Sequence, residues 1–229
     1  MVSWNAEGLR SKVTELQRWL PAIRADVVAV QEGQFPSTVP RLPGFQPPVV
    51  VRRARGRRAG AAVVKGGDVA IYVKGGLHFV PLSGRHLATT DDSTELCGVR
   101  LLGQSPITIV NIYRPPIRAT DDDREDNFDP HLLPSDDETL LVGDVNAHHP
   151  SWDVGCAAAD AVGERIADWL ETTEWVPLNS GESTFVSYRS GGQSAPDLAA
   201  CSASLARRAR WSLGPDMGSD HLPMVTEIR

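Results

Sequence analysis

The chain has 229 residues, enough for one domain with a sizeable core, and 41% of them are hydrophobic. A net charge of −6 argues against a protein that grips polyanions through bulk positive charge, and no apolar run reaches the ~20 residues that cross a bilayer. Cys97, Cys156 and Cys201 are too widely spaced for a zinc signature and odd in number for a disulfide framework, which suits a reducing compartment.

The elements follow from pattern. A short strand ends at Asn5, with no charged-then-apolar leader around it, so a secretory signal is not expected. Ser11 reads as the N-cap of a helix carrying Leu16, Trp19, Leu20 and Ile23, bent or divided at Pro21. Residues 26–30 form a buried strand that delivers Glu32. Strands at 48–51 and 69–73 flank an arginine-rich turn (52–58), and a further pair at 96–102 and 107–112 ends at Tyr113. The acidic stretch 121–126 reads as a solvated loop. A strand at 139–142 leads into Gly143-Asp144-Val145-Asn146-Ala147-His148-His149, and a helix at 161–172 carries Val162, Ile166, Trp169 and Leu170 on one face. Shorter strands are expected at 175–178, 184–188, 197–200, 211–213 and 225–228, with Gly191-Gly192 as a hairpin tip. No repeat or linker divides the chain. Strands outnumber helices, so the expectation is a single α/β domain, residues 1–229: a four-layer sandwich of two mostly antiparallel sheets flanked by helices.

Two strings carry chemistry. Asp144 and Asn146 lie two apart where a strand gives way to a loop, so they face the same side at a strand end, where open α/β sites gather their functional groups. Ser219-Asp220-His221 precedes the closing strand. A carboxylate, an amide oxygen and an imidazole together hold a divalent metal and activate water against a phosphodiester. His148 and His149 do not make a zinc site, because neighbouring histidines diverge and no further ligand follows at the right spacing.

These strings fall in a longer series: Trp4-Asn5-Ala6-Glu7-Gly8, Val30-Gln31-Glu32, Asn111-Ile112-Tyr113-Arg114-Pro115-Pro116, Gly143-Asp144-Val145-Asn146, Thr184-Phe185, Pro196-Asp197-Leu198 and Ser219-Asp220-His221. In that order, over nearly the whole chain, they resemble the endonuclease/exonuclease/phosphatase superfamily. They resemble most the apurinic-type endonuclease domains of non-LTR (LINE-type) retrotransposons, with Asn146-Ala147-His148-His149 pointing to an ingi-type element.

The resemblance implies a DNase I-like fold and a nuclease that uses Mg²⁺ or Mn²⁺. Glu32 would be the principal metal ligand, with Asn5, Glu7 and Asp220 completing the shell. Glu7 stands where apurinic endonucleases carry Asp and retrotransposon relatives often carry Asn. Asp144 would orient or deprotonate the attacking water, and Asn146 would hold it or a phosphate oxygen. Asp197 would fix the imidazole of His221, and Tyr113 would donate to charge building on the phosphate. Arg114, Thr184, Ser219 and Arg189 would lie at the DNA, Thr184 and Ser219 either touching phosphate or buttressing the site. The hairpin at 187–194 would enter or bracket the groove. The implied partners are double-stranded DNA and a reverse transcriptase domain outside these residues, in the nucleus and away from membranes. Two alternatives stand beside this: a phosphatase of the same superfamily acting on inositol phosphates or lipid head groups, and a noncatalytic DNA-binding remnant.

Overall fold

The computed structural model describes residues 1–53, 67–82, 87, 94–116, 127–136 and 138–229. Arg55, Arg57 and Arg58 of the basic turn and the acidic stretch 121–126 lie outside the described residues.

Two six-stranded sheets stack face to face. The first contains β1 (Val2–Asn5), β2 (Val27–Gln31), β3 (Val49–Val51), β4 (Val69–Val73), β13 (Ala209–Leu213) and β14 (Met224–Ile228), in the order β13-β14-β1-β2-β4-β3. The second contains β5 (Phe79–Pro81), β6 (Glu95–Leu101), β7 (Ile107–Tyr113), β8 (Thr139–Asp144), β9 (Trp175–Pro177) and β12 (Asp197–Ser202), in the order β5-β6-β7-β8-β12-β9. A separate hairpin pairs β10 (Phe185–Val186) with β11 (Gln193–Ser194). Each large sheet is antiparallel except for one central parallel pair, β1 with β2 and β7 with β8.

Period-2 alternation makes the four layers. Val27, Ala29 and Ile71 of the first sheet meet Ile109, Leu140, Val142 and Ala199 of the second in the central core. Val28, Val30 and Tyr72 turn outward, onto Leu9 and Leu16 of α1 (Leu9–Trp19). On the opposite side Val110, Ile112 and Leu141 pack beneath Val162, Ile166, Trp169 and Leu170 of α2 (Ala161–Thr172), whose N-cap Asp160 accepts from the backbone of Val162 and Gly163. Gln31 and Asn111 also point into the central layer: Gln31 Nε2 donates to Asn111 Oδ1 at 2.6 Å, and Asn111 Nδ2 donates to the carbonyls of Val30 and Ala70. No helix among the described residues is long and apolar enough to cross a membrane.

Several expectations need correction. Helix α1 starts at Leu9 with Gly8, φ 94°, at its N-cap, so Ser11 is an interior residue whose hydroxyl donates to the Gly8 carbonyl. The helix also stops at Trp19 instead of bending at Pro21, because proline cannot donate the next helical bond and its ring clashes with the preceding turn. The strand expected at 184–188 shrinks to Phe185–Val186. Strand β5 and the short helix α3 (Ala203–Ala206) were not foreseen, being too brief for periodicity to register.

Candidate active site

Parallel pairing sends the carboxyl ends of β1, β2, β7 and β8 to one edge of the sandwich. Their antiparallel neighbours start there: Asp197, the first residue of β12, is in register with Asp144, the last of β8. His221 precedes β14, which pairs antiparallel with β1. The chain thus gathers residues 5, 32, 113, 144, 197 and 221 in one place.

The polar groups form two linked sets. In the first, Asn5 Nδ2 bridges two carboxylates, donating to Asp144 Oδ2 at 2.8 Å and to Glu32 Oε1 at 3.3 Å. Tyr113 donates its hydroxyl to the same Glu32 oxygen at 2.8 Å. Asn146 folds over Asp144, its backbone N–H donating to Oδ1 at 2.9 Å and its Nδ2 to Oδ2 at 3.0 Å. In the second set, Asp197 Oδ2 accepts from Thr184 Oγ1 at 2.6 Å and lies 2.8 Å from His221 Nδ1. The far nitrogen of His221, Nε2, faces Asp144 Oδ2 across 4.0 Å.

Backbone geometry shapes this cluster. Glu32, Asn146 and Glu7 all hold left-handed φ values, 45°, 45° and 42°. Each costs roughly 1 kcal/mol for an L-residue and lets the side chain leave its strand's alternation at the sheet edge. Gly143 has φ 143°, and a Cβ there would stand 2.0 Å from the Ile112 carbonyl oxygen, so only glycine lets β8 run against β7 immediately before Asp144.

Electrostatics follow from burial among acids. Burial by itself lowers the pKa of His221, but the adjacent Asp197, with Asp144 and Glu32 behind it, outweighs this and pushes it up to about 10. The surrounding carboxylates thus favour the imidazolium in the metal-free site. Burial raises the pKa of Asp144, and the negative charge of Asp197 adds to the rise. Tyr113 is held well above the usual phenol range by burial and by Glu32, so it remains a donor.

Not every expected residue joins the cluster. Glu7 is exposed: its backbone N–H donates to Asn5 Oδ1 at 3.1 Å, and its Oε2 accepts from the backbone N–H of Asp220, so the two meet beside the first set. Among the residues expected at DNA, Arg189 is exposed at the tip of the hairpin. Arg114 is only 3% exposed, with its guanidinium over the Phe128 ring and directed at the carbonyls of Val145 and Asn146. It supports the Asn146 loop from inside and offers no surface to a phosphate. Thr184 and Ser219 are also buried: Thr184 serves Asp197, and Ser219 Oγ donates to the Asn5 carbonyl at 2.8 Å.

Three further supports escaped the sequence reading. Asn179 binds β12 next to the site, donating to the Asp197 carbonyl and accepting from Ala199 N–H. Trp4 Nε1 donates to the His221 carbonyl at 2.9 Å. Arg53 lies over the Tyr113 ring and pairs with buried Glu95 at 2.6 Å. Trp4 stands in a quoted motif, but an asparagine in Pro-Leu-Asn-Ser and a single arginine in a basic turn carry no local signal.

Residues 107–225, just over half the chain, match the endonuclease–reverse transcriptase family. The chain belongs to that family. It is 28% identical over 229 residues to a probable RNA-directed DNA polymerase from transposon X-element of Drosophila melanogaster, covering 98% of this chain but only 23% of that protein. Among solved structures, the endonuclease domain of TRAS1, a telomere-specific non-LTR retrotransposon, superposes with a TM-score of 0.70 at 21% identity, covering 100% of this chain and 96% of that one. The AP endonuclease LMAP of Leishmania major gives a TM-score of 0.71 at 19% identity, covering 100% and 86%. The two stacked sheets of this endonuclease–reverse transcriptase family member are thus a DNase I-like fold.

The cluster's donor set suits a hard divalent cation. Two carboxylates, Glu32 and Asp144, converge on the single Asn5 amide group, and Asp144, Asp197 and His221 place possible ligand atoms within 4.8 Å of one another. Glu32 and Asp144, with Asn5 between them, are the ligands that face one another, while Asp197 is turned to Thr184 and His221 through Oδ2.

Proposed function

We propose that the chain is a metal-dependent endonuclease that nicks double-stranded DNA. The observation that carries this is the meeting of Glu32, Asn5, Asp144, Asn146 and the Asp197–His221 pair at one sheet edge. Glu32 and Asp144 would hold Mg²⁺, or Mn²⁺ in its place, which neutralises charge on a phosphodiester and on its leaving oxygen. Asp144, with Asn146 folded over it, is the candidate to orient or deprotonate the attacking water, while Asn146 holds that water or a phosphate oxygen. His221, with Asp197 and Thr184 fixing the ring and its acidic neighbours favouring the imidazolium, is placed to offer Nε2–H to a phosphate oxygen. Tyr113 orients Glu32 and remains a neutral donor. Asp220 and Glu7 meet beside Asn5, next to this set.

The products would carry 3′-hydroxyl and 5′-phosphate ends. In a nuclear retroelement cycle the free hydroxyl would prime a reverse transcriptase domain outside these residues, a reading supported by the family and by the X-element relative. The Asn146-Ala147-His148-His149 string supports an ingi-type element. The test is nicking of supercoiled plasmid with Mg²⁺, with chelator, and with Glu32→Ala. Loss of nicking in the latter two is expected. Full activity with chelator overturns the metal assignment, and hydrolysis of small phosphomonoesters in preference to DNA overturns the substrate.

A further inference from the structure

Beside the site lies a second imidazole–carboxylate pair. Asp153 is 1% exposed, and it invests its contacts in one oxygen: Oδ2 accepts from Ala195 N–H at 3.0 Å and lies 3.0 Å from His148 Nδ1. Its other oxygen, Oδ1, is buried with no hydrogen-bond partner among the described residues. A buried carboxylate so thinly satisfied is costly unless a cation compensates it, and the His148 ring lies within ion-pairing distance at 3.0 Å.

The His148 backbone is clamped. Its N–H donates to Asp160 Oδ2, its carbonyl accepts from Asp160 N–H, and Gly163 of α2 packs so closely that a Cβ there would lie 2.1 Å from that carbonyl. The side chain nonetheless remains 37% exposed. His149 is arranged otherwise: its Nδ1 meets Ser151 Oγ, its ring tilts on Trp152, and its Nε2 faces Glu164 on α2. His148 alone of the two has a buried carboxylate behind one nitrogen and solvent before the ring. It follows Asn146 by two residues. The Asp153 oxygen that holds it also holds Ala195, which leads through Pro196 to Asp197, and the Pro196 carbonyl accepts from Val145 N–H.

We propose that His148 is a phosphate-binding residue for the DNA backbone beside the scissile bond, with Asp153 as its positioning residue. This rests on the DNA-endonuclease reading. As an imidazolium His148 donates Nδ1–H to Asp153 and Nε2–H to a phosphate oxygen, so the buried acid is neutralised and the contact counts as one released counterion.

The experiment measures duplex binding and nicking with the whole chain carrying His148→Ala, His148→Gln, Asp153→Asn and the His148→Ala/Asp153→Asn pair. The probe is a short fluorescent duplex over a series of NaCl concentrations. His148→Ala should lower the log–log salt slope by about one and raise KM about two- to tenfold, the worth of one hydrogen bond, with kcat unchanged. His148→Gln keeps a donor without charge, so it should lose the slope while recovering part of the KM. Asp153→Asn still accepts from Ala195 and should reproduce the slope loss, and the double variant should add nothing. An unchanged slope with a fall in kcat or thermal stability would show that the pair only clasps the loop, which overturns the proposal while the nuclease reading stands. Should Asp153→Asn fail to fold, the two His148 variants, altering a partly exposed ring, carry the test. A wild-type chain that neither binds nor nicks the duplex overturns both readings together.

Discussion

Replacing Asp197 by Asn should discharge His221 at neutral pH. Asp197 supplies the two largest influences that raise the His221 pKa, by its charge and by its hydrogen bond, while burial opposes them and Asp144 and Glu32 add less. The gap between about 10 and the ordinary 6.5 corresponds, at about 1.4 kcal/mol per pH unit, to roughly 5 kcal/mol in favour of the imidazolium. A raised pKa in the folded state gives stability that is fully present below pH 6.5 and lost as pH climbs through about 10. With Asn at 197 most of that preference disappears, and the titration should move to the neighbourhood of 6.5. The assay is an NMR titration of the histidine Cε1–H signals of metal-free protein, with His221 identified among the six histidines by its absence in His221→Gln. Wild type should show no His221 transition between pH 5.5 and 8.5 if its value is about 10, whereas Asp197→Asn should show one. Nicking at neutral pH should fall about a hundredfold or more and recover in part as pH is lowered. A wild-type His221 that titrates near 6.5, or an identical curve in the variant, would refute the assignment of His221 as a standing cation.

Thr184→Val keeps the shape of the side chain but removes the 2.6 Å donor to Asp197, and should cost about 1.5–3 kcal/mol, the worth of a hydrogen bond to a charged group. Thermal unfolding should register this as a fall of roughly 3–12 °C for a chain of this length; an unchanged midpoint would mean that water replaces the hydroxyl. Gly143→Ala should destabilise by about 3 kcal/mol and impair nicking together, since backbone clash displaces β8 where Asp144 is carried; chemical denaturation is the check, and a neutral result would show that β7 and β8 can part without harm. Shortening the hairpin at 187–193 to an Asn-Gly turn should shift which sites are nicked while leaving the fold intact. Mapping nicks along a long duplex tests this, and an unchanged pattern at full rate would reduce the hairpin to a solvent-exposed turn.

Much of the frame was legible because its signals are local. Strand β4 and helix α2 occupy the residues that alternation and 3.6-residue periodicity indicate, and Asp144 with Asn146 falls at a strand end as their spacing requires. What was not legible depends on tertiary approach. Arg114 looks like a surface cation in Tyr-Arg-Pro-Pro, yet Phe128 and the Asn146 loop close over it from distant parts of the chain. Ser11 has the chemistry of an N-cap, but left-handed Gly8 starts the helix earlier by bonding its N–H to the Glu32 carbonyl, a partner no local window contains. The role of Asn179 likewise exists only once β12 lies beside it.

The amide pair Gln31–Asn111 sits in the apolar seam between the sheets, one residue short of Glu32 on one side and two short of Tyr113 on the other. Greasy faces alone tolerate sliding, since one methyl contact is readily exchanged for another. An amide that must find one particular amide, and whose partner also grips backbone on two strands, permits a single alignment. Because Glu32 and Asn5 ride on one sheet while Tyr113, Asp144 and Asp197 ride on the other, the pair works as a dowel between two separately made halves. The site is assembled at the joint, and the spacing of its two halves is set by a pin buried beneath it.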